Sequence, residues 1–214
     1  MIKIHGTSIS NYYSTAKCAL VEKGIKFEEV SVFPSREPAV LASSPMGKVP
    51  WIEVDGKVLS EVNAIFDYLE DIHPTPPLYP TDAWARAKTK EIIRIIELYL
   101  DAQARRHIAA VYFGGDVDPV AFEQVRPALE NGLLALSNVA KYGPYIAGDQ
   151  FTYADIVAYF QIGFTNMHTQ KIYDWDIVAA DPALKDYIAM LNERPGIAAV
   201  AGVMRSDMAK FAAR

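Results

Sequence analysis

Hydroxyl side chains crowd one short stretch near the N-terminus, between a predicted strand and a predicted helix. They belong to Ser8, Ser10, Tyr12, Tyr13 and Ser14. A hydroxyl at the start of a helix can cap a backbone N–H, or it can donate to an anion that the helix dipole favours. Because the sequence does not fix the length of this turn, several of these residues stay candidates for either role.

Two other groups have side chains capable of chemistry. Cys18, the single cysteine of the chain, falls about two turns into the predicted helix, too far along to meet a ligand at its start. We expect a buried, inert thiol, and one cysteine excludes an intramolecular disulfide or a Cys-x-x-Cys pair and indicates a reducing compartment. Arg105, Arg106 and His107 could favour an anionic ligand, but a solvated helix face has the same composition.

Composition excludes several classes of partner. The chain of 214 residues is 51% apolar and carries a formal charge of −5, so it lacks the basic excess that nucleic-acid binding requires. The sequence has neither a secretory leader nor an apolar run of about 18 residues that could span a membrane. We therefore expect a soluble, cytoplasmic protein with no nucleic-acid or membrane partner.

The elements that must position these residues begin with a mixed strand and helix pattern. Residues 2–5 and 27–30 predict strands on either side of a helix over about 13–23, and such a βαβ unit makes the two strands parallel. Asp55-Gly56 predicts a two-residue type I′ hairpin between strands 51–54 and 57–59. Ser60 is the predicted N-cap of a helix over about 61–72.

Everything after residue 82 predicts helix. The apolar spacing predicts a long helix over about 82–113, and Pro127 should kink the next helix, which starts near 118–119, or mark its true beginning. Residues 152–164 are apolar almost all round, which is typical of a buried central helix. Shorter helices are predicted over about 182–193 and 197–210. The predicted domains are 1–73 and 82–214, joined by a Pro-rich linker over 74–81.

Residues 44–51 have the sequence Ser-Pro-Met-Gly-Lys-Val-Pro-Trp, which resembles the Asn-Pro-x-Gly-Lys/Gln-Val-Pro signature of one protein family, the glutathione S-transferases. Residues 61–65, Glu-Val-Asn-Ala-Ile, are similar to its Glu/Gln-Ser-x-Ala-Ile motif, except that Val62 replaces the serine. Residues 148–155 resemble its Gly-x-x-x-Thr-x-Ala-Asp segment, where Thr152 and Asp155 should form a capping box. The resemblance covers nearly the whole chain.

The resemblance implies a fold and a ligand. The fold would be an α/β thioredoxin-like N-terminal domain plus an all-α C-terminal helical bundle, and the ligand glutathione, a co-substrate, with no metal. In this family the Val49–Pro50 bond would be cis, and the Val49 backbone would pair with the cysteinyl unit. Glu61 and the Val62 N–H would hold the γ-glutamyl end, and Lys48 the glycyl carboxylate.

The resemblance also implies how the thiol is activated. A hydroxyl after the first strand would stabilise the thiolate; Ser10 is the first candidate, with Asn11, Tyr12 and Tyr13 as rivals. The electrophile would bind between the domains. The candidates there by position are Tyr12, Tyr99, Arg106, His107, Tyr112, Phe113 and Phe164.

The implied function is conjugation of the glutathione thiolate to a small, partly apolar electrophile, the chemistry of detoxification, by a homodimer. Two alternatives stay open. The same site could serve a glutathione-dependent isomerase or dehalogenase, in which the thiol adds and later leaves. The missing serine at Val62 would also suit a binding or regulatory module of this fold that has lost catalysis.

Overall fold

The structure, a computed structural model, describes residues 1–213 and groups into two compact units. The first unit contains Met1–Leu78 together with the chain from Arg194 onwards, and the second contains Tyr79–Glu193. In the predicted domain bounds, by contrast, the C-terminal stretch belongs with the helices.

The first unit is built on a four-stranded mixed sheet in the order β2-β1-β3-β4. Its elements are β1 (Ile2–Gly6), α1 (Asn11–Glu22), β2 (Phe27–Ser31), α2 (Pro38–Ser43), β3 (Trp51–Val54), β4 (Lys57–Ser60) and α3 (Val62–Ile72). β1 and β2 are parallel, as the βαβ pattern predicts, whereas β3 is antiparallel to both β1 and β4. This thioredoxin-like arrangement confirms the fold predicted for the N-terminal part.

The hairpin between β3 and β4 is confirmed, but the predicted start of the next helix is wrong. Asp55 and Gly56 have φ angles of 50° and 76°, as a type I′ turn requires. Ser60 does not cap α3, because it still pairs with Trp51 in the sheet. The N-cap is Glu61, with a φ of 70° and no side-chain capping bond.

The second unit is helical. Its helices are α4 (Ala83–Ile95), α5 (Ala102–Ala104), α6 (Ile108–Tyr112), α7 (Pro119–Ser137), α8 (Tyr153–Val157), α9 (Gly163–Tyr173) and α10 (Pro182–Asn192). The predicted long helix is a continuous helical run that passes through a π-helical turn at Ile96–Asp101 and a 3₁₀ turn at Arg105–His107. A second π-helical turn, Ala158–Ile162, joins α8 to α9.

Two predictions about this helical unit are decided by the structure. Pro127 lies inside α7 and does not begin it. The capping box at the buried helix is confirmed, because Thr152 and Asp155 bond each other's backbone at the start of α8. Tyr187 also donates its hydroxyl to the Asp155 carboxylate at 2.7 Å, so α10 is tied to the same cap.

The last helix, α11 (Pro195–Ala212), packs on α1. At one end the guanidinium of Arg194 donates to both carboxylate oxygens of Glu22 at 3.0 and 2.7 Å. Ile197, Val200 and Ala201 are buried along the helix. These contacts explain why the C-terminal segment belongs with the sheet.

Candidate functional site

Three loop segments meet at one end of the sheet. The register sets His5 beside Trp51 and Trp51 beside Ser60, across three neighbouring strands. Because β1 and β4 end here and β3 begins here, the turn after β1, the segment before β3 and the start of α3 emerge side by side. Neighbouring strands are about 4.8 Å apart, so the three segments span about 10 Å, the reach of a small peptide.

Ser10 closes the first segment and begins α1. Its N–H donates to the Thr7 carbonyl at 3.0 Å, which makes Thr7–Ser10 a tight turn. Its Oγ accepts from the N–H of Tyr13 at 3.3 Å, so Ser10 is the N-cap of α1. A hydroxyl that accepts still has its own hydrogen to donate, and among residues 1–213 no acceptor takes the Ser10 hydrogen.

The two neighbouring tyrosines differ from each other. Tyr13 is buried, and its hydroxyl donates to the carboxylate of Glu29 at 2.6 Å. Burial, followed by that bond to Glu29, raises the pKa of Tyr13 well above its usual range, so this hydroxyl is unsuited to stabilise a thiolate. Tyr12 is the second residue of α1 and is half-buried.

Cys18 takes no part in this site. It is fully buried in α1, and burial, with a smaller effect from Glu22, raises its pKa far above that of a free thiol. The expectation of a buried thiol is confirmed.

The second segment leads into β3. The Val49–Pro50 peptide bond is cis, and within residues 1–213 no hydrogen bond involves the Val49 N–H or C=O. Just before it, Gly47 has a φ of 65°, and a Cβ there would collide with the Ser35 carbonyl oxygen. Lys48 is exposed. The backbone of Val49 therefore has both a donor and an acceptor left over.

The third segment is the start of α3. Glu61 is exposed and holds a left-handed backbone conformation, which costs a non-glycine residue about 1 to 3 kcal/mol and is typical of functional sites. Its side chain makes no capping bond to the helix, whereas the Val62 side chain is buried. The first-turn N–H of Val62 suits a carboxylate, because a helix N-terminus attracts anions.

In the helical unit the structure brings two predicted residues together. The rings of Tyr112 and Phe164 lie 6.3 Å apart and nearly parallel. Two residues that the sequence did not single out for the pocket complete this aromatic cluster. The guanidinium of Arg105 lies 4.3 Å from the centre of the Phe164 ring, and the ring of His168 lies 4.0 Å from Phe164 and 5.4 Å from Tyr112.

His168 is a buried, neutral imidazole. Its Nδ1 lies 2.8 Å from the Phe164 carbonyl oxygen, so Nδ1 carries the hydrogen, and Nε2 is an acceptor that has no partner among residues 1–213. Burial, the largest cause, lowers the pKa of His168 to about 4. A spacing of four residues from Phe164 on one helix could have revealed this pairing.

The remaining predicted residues of the helical unit lie outside the aromatic cluster or at its edge. Tyr99 and Phe113 are 51% and 70% exposed, although the Phe113 ring lies 6.3 Å from Tyr112. Arg106 is exposed and donates to Gln124 at 2.8 Å.

His107 is buried, and its Nε2 lies 2.7 Å from the Tyr173 hydroxyl. Burial is the largest cause that lowers the pKa of His107, and the charge of Arg106 is the next. The predicted set is thus not one contiguous group within this unit.

Residues 1–213 contain neither a metal-binding cluster nor a membrane-spanning helix. Over residues 1–213, no group of three or more His, Cys, Asp and Glu side chains is arranged to hold a metal ion. Within the same residues, no helix is both long and apolar enough to cross a membrane.

Sequence models of two domains match the chain. The glutathione S-transferase N-terminal domain matches residues 4–77, and the glutathione S-transferase C-terminal domain matches residues 104–195. A glutathione S-transferase of Pseudomonas putida is 36% identical over 211 residues, which cover 99% of this chain and 96% of that protein. A maleylacetoacetate isomerase of Dictyostelium discoideum is 28% identical over 152 residues, 65% of this chain and 68% of that protein.

Solved structures confirm the fold. Glutathione transferase F7 of Populus trichocarpa has a TM-score of 0.79 at 21% identity, with 95% of this chain and 99% of that chain covered. A glutathione transferase homologue from Sulfitobacter, solved with bound glutathione, has a TM-score of 0.75 at 20% identity, with 94% and 97% covered.

The mixed sheet, the helical unit and the two domain matches in this order define an enzyme of the transferase class. With a relative 36% identical over almost its whole length, the chain belongs to the glutathione S-transferase family. The relatives thus support an enzyme rather than a binding module that has lost catalysis.

Proposed function

We propose that the protein binds glutathione at the end of the sheet where the three segments meet and joins the glutathione thiolate to a small, partly apolar electrophile. The register that lines up His5, Trp51 and Ser60 carries this proposal, because it gathers a free hydroxyl hydrogen, an unpaired backbone and a helix N-terminus within about 10 Å. These are the three kinds of group that a thiol, a peptide unit and a carboxylate need.

Each segment has one role in the proposal. Ser10 donates its free hydrogen to the glutathione sulfur, and Tyr12 is the rival donor. The N–H and C=O of Val49, next to Pro50, pair with the cysteinyl unit as an added strand residue would. Glu61 binds the γ-glutamyl ammonium and the Val62 N–H its carboxylate, while Lys48 binds the glycyl carboxylate.

The chemistry follows from the hydroxyl. A hydrogen bond to the charged form lowers the pKa of the bound thiol, so the proton leaves to solvent and the thiolate attacks. A carbon–sulfur bond forms as the electrophilic carbon either loses a leaving group with its bonding electron pair or, in an addition, gives up a π bond whose electron pair takes a proton from solvent. Holding both reactants together supplies the rest of the rate gain. We propose that the helical unit binds the electrophile through the aromatic cluster, with Tyr112 and Phe164 as its apolar wall.

Replacing the hydroxyls tests this assignment. Ser10→Ala should raise the pKa of the bound thiol by about 1 to 2 units, because one hydrogen bond to a charged group is worth about 1.5 to 3 kcal/mol. Turnover at neutral pH should fall about 10- to 100-fold, whereas Tyr12→Phe should change little. Spectroscopic titration of the bound thiolate and conjugation rates measure both.

Ser10 also caps α1, so the variant needs a control for lost stability. Asp82 caps α4 by accepting from the Ala85 N–H at 2.8 Å, and Asp82→Ala should cost a similar 0.5 to 2 kcal/mol, roughly, without changing the thiol pKa. If Tyr12→Phe raised the thiol pKa and Ser10→Ala did not, the tyrosine would be the donor.

A glutathione-dependent isomerase is a second candidate, since relatives in Dictyostelium discoideum and Pseudomonas aeruginosa are named maleylacetoacetate isomerases. In that reaction the sulfur adds and later leaves, so glutathione is not consumed. Product analysis separates the two, because conjugation consumes one glutathione per turnover.

We also propose a homodimer in the cytoplasm. A free buried thiol agrees with a reducing compartment, and Trp84, exposed by 76%, is a large apolar side chain that a second copy could cover. Sedimentation equilibrium should give about twice the chain mass of 23.7 kDa, and Trp84→Glu should weaken the association. A single species of the chain mass at all concentrations would contradict the dimer.

A further inference from the structure

The turn that presents Ser10 is held from the far end of the chain. Ser8, the second residue of the Thr7–Ser10 turn, donates its hydroxyl to the Asp207 carboxylate at 2.6 Å. From the other side, Ser14 donates its hydroxyl to the Ser8 carbonyl at 3.2 Å. Ser8 is therefore bonded through both its side chain and its backbone, two residues before the proposed thiol-activating hydroxyl.

Asp207 lies on α11, which is fixed along its length. Arg194 bonds Glu22 just before the helix begins, and Asp207 bonds Ser8 near the other end, so α11 runs antiparallel to α1. Ile197 and Val200 are buried between these two contacts. A carboxylate on such a helix has little freedom to follow a moving turn.

The bond between Ser8 and Asp207 has an ionised acceptor. Lys210 donates to the other Asp207 oxygen at 2.8 Å, and this bond, followed by the Ser8 bond, lowers the pKa of Asp207. Bonds to an ionised acceptor are shorter and stronger than neutral ones. The bond is at full strength at neutral pH, where Asp207 is ionised, and weakens to that of a neutral acceptor as the pH falls through the depressed pKa of Asp207.

We propose that Asp207 is a positioning residue for glutathione activation, which acts by holding Ser8 and thereby fixing the Ser10 hydroxyl against the sulfur. The proposal rests on the function proposed for Ser10. Asp207 need not touch the substrate. Its effect should appear in the thiol pKa rather than in glutathione affinity, because Val49, Glu61 and Val62 belong to other segments.

Variants of Asp207 and Ser8 test the tie. Misplacing a reacting group by about 1 Å lowers a rate by about 100-fold. Asp207→Ala removes one of the two hydrogen bonds that hold Ser8 and leaves the one from Ser14, so turnover at neutral pH should fall by a smaller factor of about 3 to 10. The bound thiol pKa should rise and the KM for glutathione should stay near its wild-type value. Asp207→Asn should restore most of the loss, because an amide oxygen accepts the same bond.

Amide hydrogen exchange of the turn gives a readout that does not depend on chemistry. The Ser10 N–H, which closes the turn, should exchange faster in Asp207→Ala. The matched control is Lys210→Ala, which removes the other partner of Asp207 but leaves the bond to Ser8, so exchange and thiol pKa should both match wild type. Ser8→Ala combined with Asp207→Ala should be no worse than either alone.

Three results would overturn the proposal. They are a wild-type thiol pKa in Asp207→Ala while Ser10→Ala raises it, unchanged exchange at Ser10, or equal effects of Lys210→Ala and Asp207→Ala. Failure of the proposed function would appear differently, as wild-type protein that gives no heat when titrated with glutathione.

Discussion

The hydroxyl groups of Ser10 and Tyr13, at the start of α1, have different hydrogen-bond partners. Tyr13 donates to Glu29, and Glu29 also accepts from Lys17 at 2.8 Å, so that hydrogen is held within a charged pair. The Ser10 Oγ accepts from the Tyr13 N–H, and within the part of the chain that the structure describes its own hydrogen has no acceptor. The sequence could identify the turn but not the residue, because the partner of Tyr13 lies on β2, 16 residues further along.

At the residue scale, adding a hydroxyl to the side chain at Val62 should strengthen glutathione binding. Val62→Thr keeps the shape of the buried side chain and places an oxygen at the first turn of α3, where the proposed γ-glutamyl carboxylate binds. One added bond to a charged group is worth about 1.5 to 3 kcal/mol, so the glutathione Kd should fall by about tenfold or more. Calorimetric titration measures it.

Val62→Ala is the matched control, because it shortens the side chain without adding a donor, and its Kd should stay near the wild-type value. Equal affinities for the Val62→Thr and Val62→Ala variants would place the γ-glutamyl carboxylate elsewhere.

At the scale of elements, local signals sufficed wherever the residues that decide the structure are neighbours in the chain. Asp55-Gly56 specifies a hairpin turn by its own backbone. Thr152 and Asp155 satisfy each other's N–H groups within one turn, so their motif predicts the helix start. The parallel β1 and β2 pair follows from the single helical crossover, α1, that connects the two strands.

The features that the sequence could not predict are decided by distant contacts. Ser60 has the chemistry of an N-cap, yet pairing with Trp51 keeps it in the strand and leaves Glu61 at the helix start. The π-helical turns Ile96–Asp101 and Ala158–Ile162 pack against each other, and no periodicity of one helix reveals its partner. Arg105 meets His168 through Phe164, across 59 to 63 residues of chain.

The buried N-terminal cap of α8 depends on one side chain, that of Asp155. The Asp155 carboxylate accepts from the Ile146 N–H at 2.9 Å, from the Thr152 N–H at 2.7 Å and from the Tyr187 hydroxyl at 2.7 Å, all in the buried interior. Asp155→Ala leaves these donors unsatisfied at about 1 to 3 kcal/mol each. Urea unfolding should show a loss of about 3 to 5 kcal/mol.

The control for this cap is Tyr187→Phe, which removes one donor and leaves the bonds from the Ile146 N–H and from the N–H and hydroxyl of Thr152 in place. It should cost about 1 kcal/mol. If Asp155→Ala cost no more than Tyr187→Phe, the two backbone N–H groups would have found other partners and the cap would not be what fixes α8.

At the scale of the whole molecule, the sheet unit is assembled from both ends of the chain. The change from strands to helices near residue 80 predicts one boundary, but the return of the chain to the sheet unit at Arg194 has no local signature. It depends on Glu22, 172 residues earlier, and on an apolar stripe that any amphipathic helix would carry. A prediction from sequence therefore assigns α11 to the domain that precedes it.

Shortening the chain tests this assembly. A chain that ends at Glu193 loses Ile197 and Val200, whose burial is worth about 1.5 to 3 kcal/mol each, together with the Arg194 and Glu22 pair. That is a large part of the 5 to 15 kcal/mol, roughly, that holds a domain together. Hydrogen exchange should show lost protection in β1–β4 and α1, while α7 to α9 keep theirs.

A synthetic peptide of residues 194–213 should restore the protection, and a chain that ends at Lys210 should resemble wild type. Wild-type protection of the sheet in the chain that ends at Glu193 would make α11 an accessory helix.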